Sequence, residues 1–181
     1  MIKKFSRWLL YKRLGWTADV NVELPQKCVI CLAPHTSNWD FVYSMLYGKA
    51  EGLKSNFLMK KEWFFWPLGP IFRKLGGIPV YRNKKSSMTD NLAETAMREK
   101  SFRLAITPEG TRKANPEWKR GFYYIALKAG IPILLYGLDF ERKLIYCHRS
   151  FVPAGDVEKD MQEIKEYYKD FKGKKPEQFA Y

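Results

Sequence analysis

The sequence predicts a single α/β domain, with a largely parallel central sheet flanked by helices. Short apolar runs of strand length alternate along the chain with segments of helical length, as in a sheet built from strand–helix–strand units. The length of 181 residues suits one domain with a substantial core. We divide the chain into a basic amphipathic N-terminal helix or arm at residues 1–25 and the main domain at residues 26–181.

The arm is basic and can form an amphipathic helix. Residues 1–18 contain five Lys or Arg and no acid. A helical projection places Ile2, Phe5, Trp8 and Leu9 on one side and Lys3, Lys4 and Arg7 on the other. This pattern is typical of a helix in a membrane interface, with its basic side toward anionic headgroups. A terminal helix packed on the domain has the same pattern, so both interpretations stay open.

The run at residues 28–33 is apolar without interruption, and it predicts a strand buried on both faces. Cys28 and Cys31 form a C-x-x-C within it. Residues three apart on a strand point to opposite faces, and the chain has no second such pair. We therefore expect both cysteines to pack in the core and not to bind zinc or carry redox chemistry.

A polar segment, Pro-His-Thr-Ser-Asn-Trp-Asp at residues 34–40, leads from this strand into a predicted helix at residues 41–50. It offers three good N-caps, so the helix begins between His35 and Asp40. In that geometry His35 can fold back onto Asp40, whose carboxylate would leave the other imidazole nitrogen free to take a proton. This is a candidate general base. The alternative is that His35 is a polar turn residue and that Asp40 is an acid in the first helical turn, which the helix dipole favours.

An aromatic block follows the second predicted strand, which covers residues 55–60. Residues 63–72 read Trp-Phe-Phe-Trp-Pro-Leu-Gly-Pro-Ile-Phe and have Lys or Arg on both sides. Trp beside basic residues suits the headgroup level of a membrane. A groove for a lipid chain or an ordinary core would use the same residues.

The later elements continue the alternation. Strands are predicted at 76–82, 102–107, 131–140 and 143–152, the last pairing across a turn at 139–142, and helices at 86–100, 120–130 and 156–171. Gly130 is the predicted C-cap of the second of these helices. The tail from Lys172 is expected to be loose.

Composition narrows the classes of partner. The net charge of +13 attracts polyanions such as nucleic acid, an anionic membrane surface or phosphorylated small molecules. Three irregularly spaced cysteines favour a reducing compartment. No uncharged apolar run approaches the ~20 residues of a transmembrane helix, and no signal-peptide pattern is present. We expect a cytoplasmic protein that lies peripherally on the inner face of the membrane.

Three polar clusters each follow a predicted strand, where ligands bind in open α/β sheets. They are His35 with Asp40, Arg82 at the end of its strand, and the loop Pro-Glu-Gly-Thr-Arg with Glu109, Gly110, Thr111 and Arg112. Arg is suited to bidentate contact with a phosphate, and Gly110 permits a tight turn. Lys119 adds charge near the start of the next helix, a potential anion site.

These residues carry a family resemblance. His35-x-x-x-x-Asp40, Gly-Ile-Pro-Val-Tyr-Arg82, Pro108-Glu-Gly-Thr-Arg112 and Gly130-Ile-Pro132-Ile133 resemble the four ordered sequence blocks of the glycerolipid acyltransferases. The best-known members are the 1-acylglycerol-3-phosphate, or lysophosphatidic acid, acyltransferases. The first and third blocks are specific, and the compared region covers most of the chain.

The resemblance implies transfer of a fatty acyl group from an acyl thioester, acyl-CoA or acyl carrier protein, to the hydroxyl of a lysophospholipid. It implies that His35 is the general base, that Asp40 orients it, and that no acyl-enzyme forms. It assigns the acceptor phosphate to Arg82 and the loop of Glu109, Gly110, Thr111 and Arg112, beside which we place Lys119. No metal and no redox cofactor is implied.

The sequence departs from the family pattern at Tyr81, where an acid is common, and at Leu134-Leu135, where a second proline is frequent. The chain is also short for the group and lacks the membrane-spanning N-terminal segment of many members. Acylation of a non-glycerol lysolipid therefore stays an alternative.

Three other functions explain fewer of these sequence features. A nucleic-acid-binding module would interleave aromatics with basic residues on strands, whereas here they cluster with Pro and Leu. A hydrolase of the common serine type would need a Gly-x-Ser-x-Gly turn, which is absent from the sequence. A non-catalytic membrane-surface or polyanion-binding protein explains the charge and the aromatics, but gives no purpose to His35 and Asp40.

Overall fold

The computed structural model describes residues 1–80 and 85–181, and the side chains of residues 1–80 and 88–181. The strands of the described chain form one sheet: Thr17–Val20 (β1), Lys27–Ala33 (β2), Asn56–Lys60 (β3), Gly77–Val80 (β4), Phe102–Ile106 (β5), Ile133–Asp139 (β6), Leu144–Cys147 (β7) and Ser150–Phe151 (β8). Their spatial order is β1-β7-β6-β2-β5-β3-β4, with β8 paired to β6. Every pair is parallel except those of β6 with β7 and with β8. The predicted, largely parallel α/β sheet is confirmed.

Six α-helices surround the sheet in the described residues: Ile2–Arg7 (α1), Asn38–Glu51 (α2), Leu68–Lys74 (α3), Lys85–Arg98 (α4), Gly121–Ala129 (α5) and Val157–Tyr168 (α6). The first continues as a wider π-helical segment over Trp8–Arg13, and short 3-10 turns cover Lys61–Trp63 and Pro176–Gln178. Gly130 ends α5 in the left-handed conformation, with φ +62°, as its position predicted. No helix in the described part of the chain is both long enough and apolar enough to cross a bilayer.

The central strand β2 is buried on both faces, which accounts for its unbroken apolar sequence. Cys28 faces a core made with the π-helical segment and α2, whereas Val29, Cys31 and Ala33 face a core made with α4, α5 and α6. Helix α3 lies on the same side as α2 because both crossovers move in the same direction across the sheet and such crossovers are right-handed. The two cysteines are free and buried on opposite sides of the sheet.

The structure differs from the sequence-based expectation in three places. Residues 1–25, expected as a helix or arm, also contain β1, which pairs with β7. The strand expected over residues 143–152 is divided into β7 and β8 by His148 and Arg149. The tail after α6 is not loose, since Phe140 donates a backbone hydrogen bond to the carbonyl oxygen of Lys172.

Two of the predicted polar clusters are brought to one edge of the sheet. Strands β2 and β5 are adjacent and parallel, so the loops after Ala33 and Ile106 emerge side by side. His35 lies in the first loop and Glu109 in the second. The remaining cluster, Arg82, lies outside the described residues, so its position at this edge stays a prediction.

Candidate active site

The loop between β2 and α2 folds around the carboxylate of Asp40. Ser37 is the N-cap of α2, and its hydroxyl oxygen accepts a hydrogen bond from the backbone N–H of Trp39 at 3.2 Å. One carboxylate oxygen of Asp40, Oδ2, accepts the backbone N–H groups of Thr36 and Ser37, both at 2.7 Å. This reciprocal arrangement is a capping box. Asp40 is therefore fully buried yet held by backbone donors.

The same carboxylate lies beside the imidazole of His35, as the sequence predicted. Nδ1 of His35 is 3.2 Å from Oδ2 of Asp40, although the two atoms are not aligned as a hydrogen bond. Such contacts often tighten only when substrate binds. Nε2 makes no hydrogen bond among the described residues, and the side chain is 21% exposed. The arrangement leaves Nε2 open to a proton from a bound hydroxyl group.

Glu109 supports His35 from the neighbouring loop. Its Oε1 accepts the backbone N–H of His35 at 2.7 Å, and the side chain is only 3% exposed. Asn115 braces this loop by donating to the carbonyl oxygen of Glu109 at 3.0 Å. The sequence placed Glu109 among the substrate-binding residues, and nothing in its pattern indicated this buried contact with the His35 loop.

The pKa of Glu109 is raised to about 7, mainly by burial and in smaller part by the nearby charge of Asp40. Hydrogen bonds from backbone N–H groups, including that of His35, act in the opposite direction. The other carboxylate oxygen, Oε2, is buried without a hydrogen-bond partner among the described residues. Ionisation of the Glu109 carboxyl group therefore costs free energy in the folded protein.

We expect this carboxyl group to make the protein less stable as the pH rises. Between its usual pKa of 4.5 and about 7, the unfolded chain releases the proton and the folded chain keeps it. The contribution of Glu109 is thus most favourable below 4.5 and falls by about 3 kcal/mol by pH 7 and above. Urea unfolding of wild type and Glu109→Gln at about pH 5 and about pH 8 measures it.

The glutamine variant does not titrate, so it is the control for every other group in the chain. Relative to the variant, wild type should have a lower free energy of unfolding at about pH 8 than at about pH 5. A difference that is the same at both pH values would mean that Glu109 ionises normally.

The rest of the predicted phosphate loop lies at the exposed rim of the site. Gly110 has φ +64°, and a Cβ there would lie 3.1 Å from the side chain of Lys119, so glycine permits both the turn and the close approach of Lys119. The guanidinium of Arg112 donates to the side-chain oxygen of Asn38, in the first turn of α2. Thr111 accepts a backbone N–H at 3.3 Å. The structure thus brings Arg112 and Lys119 to the same rim as His35.

Comparison with known proteins adds two findings. A sequence model of the family described as Acyltransferase matches residues 19–135, which is more than half of the chain and includes both loops of the site. The structure is similar to the crystal structure of the 1-acyl-sn-glycerophosphate (LPA) acyltransferase PlsC from Thermotoga maritima, with a TM-score of 0.61 and 19% sequence identity. The match covers 93% of this chain and 75% of that chain, and at this identity it shows a shared fold. No curated protein matches the sequence.

Proposed function

Because the chain belongs to the acyltransferase family, we propose that it transfers a fatty acyl group from an acyl thioester to the hydroxyl of a lysophospholipid such as 1-acylglycerol-3-phosphate. The observation that supports this best is the His35–Asp40 pair, with Nδ1 beside a buried carboxylate and Nε2 open. Acyl-CoA and acyl carrier protein are both suitable donors. The chemistry uses imidazole to move the proton and needs no metal or redox cofactor.

In the proposed reaction, Nε2 of His35 takes the proton from the acceptor hydroxyl as its oxygen attacks the thioester carbonyl carbon. The carbonyl π electrons move to oxygen in the tetrahedral intermediate. When they return, the carbon–sulfur bond breaks and the thiolate leaves, taking the proton from His35. Asp40 stabilises the positive imidazolium in between, and no acyl-enzyme forms.

Positive side chains at the rim are proposed to hold the acceptor phosphate. Arg112 and Lys119 lie there in the structure, with Gly110 and Thr111 between them and the buried Glu109. Arg82 is proposed to join them. Arg112 can make a bidentate contact with phosphate once it exchanges its contact with Asn38 for the ligand.

The experiment that tests the function is acyl transfer from a labelled long-chain thioester to a panel of lysolipids on anionic vesicles. The panel contains 1-acylglycerol-3-phosphate, other lysophospholipids and an amino-acid-based lysolipid. Product with a phosphate-bearing acceptor supports the proposal, and preference for the amino-acid lipid favours the non-glycerol alternative. Consumption of thioester without any acceptor would mean hydrolysis, and no reaction with any acceptor would contradict the proposal.

We also propose that the protein lies peripherally on the inner face of the membrane, where lysolipids are found. The face that carries α1, α2 and α3 exposes many large apolar side chains: Ile2, Phe5, Trp8, Trp39, Val42, Trp63, Phe65, Trp66 and Ile71. Basic residues accompany them: Lys3, Lys4, Arg7, Lys60, Arg73 and Lys74. Aromatic and basic groups together suit an anionic bilayer surface.

Replacing Trp63 and Trp66 together with alanine is expected to weaken vesicle binding by about tenfold or more, because burying one large apolar side chain is worth about 1.5–3 kcal/mol. Sedimentation with vesicles containing phosphatidylglycerol measures the bound fraction. Tyr124→Ala is the matched control, since this exposed aromatic lies on α5, across the sheet. Equal losses in both variants, or none, would contradict the assignment of this surface.

A further inference from the structure

The chain after α6 crosses the candidate site as a strap, residues 172–181, which contains the 3-10 turn at Pro176–Gln178. One end is fixed at the C-terminal end of β6, where Asp139 is fully buried. Oδ2 of Asp139 accepts the backbone N–H of Lys172 at 3.1 Å, and the carbonyl oxygen of Lys172 accepts the N–H of Phe140 at 2.8 Å. The other end is fixed by Trp118, whose indole N–H donates to the carbonyl oxygen of Ala180 at 2.9 Å.

Between these ends the strap presses on the loop that holds the His35–Asp40 pair. Gly173 is buried against Thr36, and a Cβ there would lie 2.6 Å from Oγ1 and 2.8 Å from Cγ2 of that threonine. Two residues later, Lys175 donates its backbone N–H to Oγ1 of Thr36 at 3.2 Å. The backbone N–H of Thr36 is itself one of the donors that hold Asp40. A displacement of the strap therefore reaches the catalytic carboxylate through one residue.

The strap also connects the two loops of the site to each other. The side-chain amide of Gln178 faces the carbonyl oxygens of Thr36 and Arg112, so we assign its nitrogen to that side. In this orientation it donates to Thr36 at 3.2 Å and to Arg112 at 2.5 Å. Gln178 thus adds a link between the loop of the proposed base and the loop of the proposed phosphate site, beside the contacts of Glu109 with His35 and of Arg112 with Asn38. Backbone carbonyls in such loops have no ladder partner, so a side-chain donor is what can hold them.

We propose that the strap is a positioning element for acyl transfer, in which Gly173 and Gln178 set the geometry between His35, Asp40 and the Arg112 loop. This inference rests on the proposed function. Neither residue touches the reacting atoms. Their effect is on alignment, and a misplacement of about 1 Å at a catalytic site lowers rates by about 10²-fold.

Two substitutions test the proposal. Gly173→Ala forces Thr36 and its N–H away from Asp40, and we expect kcat to fall by about 10²-fold with little change in the KM of the thioester. Gln178→Leu keeps a similar volume but removes both donated hydrogen bonds, and we expect a lower kcat together with a raised KM for the lysolipid. Gly48→Ala on α2 and Glu177→Leu on the strap are the matched controls: the first meets only an ordinary contact of 3.6 Å, and the second is exposed.

A measurement independent of activity separates this inference from the proposed function. Amide hydrogen exchange at Thr36 and Ser37 reports whether their N–H groups stay on Asp40. Both strap variants should exchange faster there, with the protection of β2 and β6 unchanged. Removing the obstructing side chain in the double variant Gly173→Ala/Thr36→Ala should recover part of the kcat that Gly173→Ala loses.

Wild-type kcat in Gln178→Leu, or unchanged exchange at Thr36 and Ser37, would overturn the proposal. If Gly173→Ala does not fold, Gln178→Leu decides alone. If wild type transfers no acyl group to any acceptor, the proposed function fails, and the exchange measurement still decides whether the strap holds the loop.

Discussion

Replacing His35 with alanine is expected to lower kcat for acyl transfer by about 10²- to 10⁴-fold, the usual contribution of a general base. The acceptor hydroxyl then has no group positioned to take its proton during attack on the thioester. The fold should survive, because the side chain is partly exposed and its Nδ1 makes no aligned hydrogen bond. Steady-state kinetics and circular dichroism on the same preparation measure both expectations.

The chain supplies a matched control in His148, its second histidine. This residue also lies beside an acid, with Nε2 at 2.7 Å from Oδ1 of Asp19. It follows β7, which runs antiparallel to β6. His148 therefore lies at the opposite edge of the sheet from the site. His148→Ala should transfer acyl groups as wild type does. Comparable losses in both variants would show that His35 has no special part in the reaction.

Asp40→Asn is expected to lower kcat by about 10²-fold or more while leaving the protein folded. The asparagine oxygen can still accept the N–H groups of Thr36 and Ser37, so the cap of α2 is kept. Its amide is uncharged and cannot stabilise the imidazolium that forms when His35 takes the proton. The variant therefore removes the electrostatic part of the pair and keeps the structural part.

Asp40→Ala removes both parts and gives the comparison. It leaves two backbone N–H groups without their acceptor, which should lower the free energy of unfolding by about 1–2 kcal/mol beyond the effect of asparagine. Urea unfolding measures this loss, and kinetics measures kcat in each folded variant. Wild-type kcat in Asp40→Asn would mean that the negative charge is not used, and the assignment of Asp40 as partner of His35 would be wrong.

The elements that could be predicted from the sequence are those whose burial shows in local pattern. Strand β2 is apolar at nearly every position because both faces are covered, and β6 is buried throughout. The N-cap residues before Asp40 located the start of α2, and that position in turn brought His35 and Asp40 together. In these cases the chemistry of a few neighbouring residues determines the local structure.

The parts that were missed depend on contacts between distant residues. Strand β1 exposes Thr17, Ala18 and Asp19, so it has no apolar pattern and exists through its pairing with β7. The sequence of the lysine-rich tail predicts a loose segment because many of its contacts are made by backbone groups, by Gly173 and by the amide of Gln178, which have no hydrophobic signature. The contact between Glu109 and His35 also joins residues that are distant in sequence, and no local pattern indicates it.

The strand order has a consequence for how the protein is made. The strand that leads to His35, β2, leaves the ribosome early, but both of its neighbours are encoded far behind it: β5 begins at Phe102 and β6 at Ile133. Until then both hydrogen-bonding edges of an apolar strand are unpaired, a state that favours aggregation and engagement by chaperones. The partner of strand β1 is synthesised later still, since Thr17 pairs with Leu144, 127 residues later (144 − 17). A nascent chain interrupted before β6 therefore carries the whole His35–Asp40 motif with one side of its supporting strand open, and the motif becomes a site only near the end of translation.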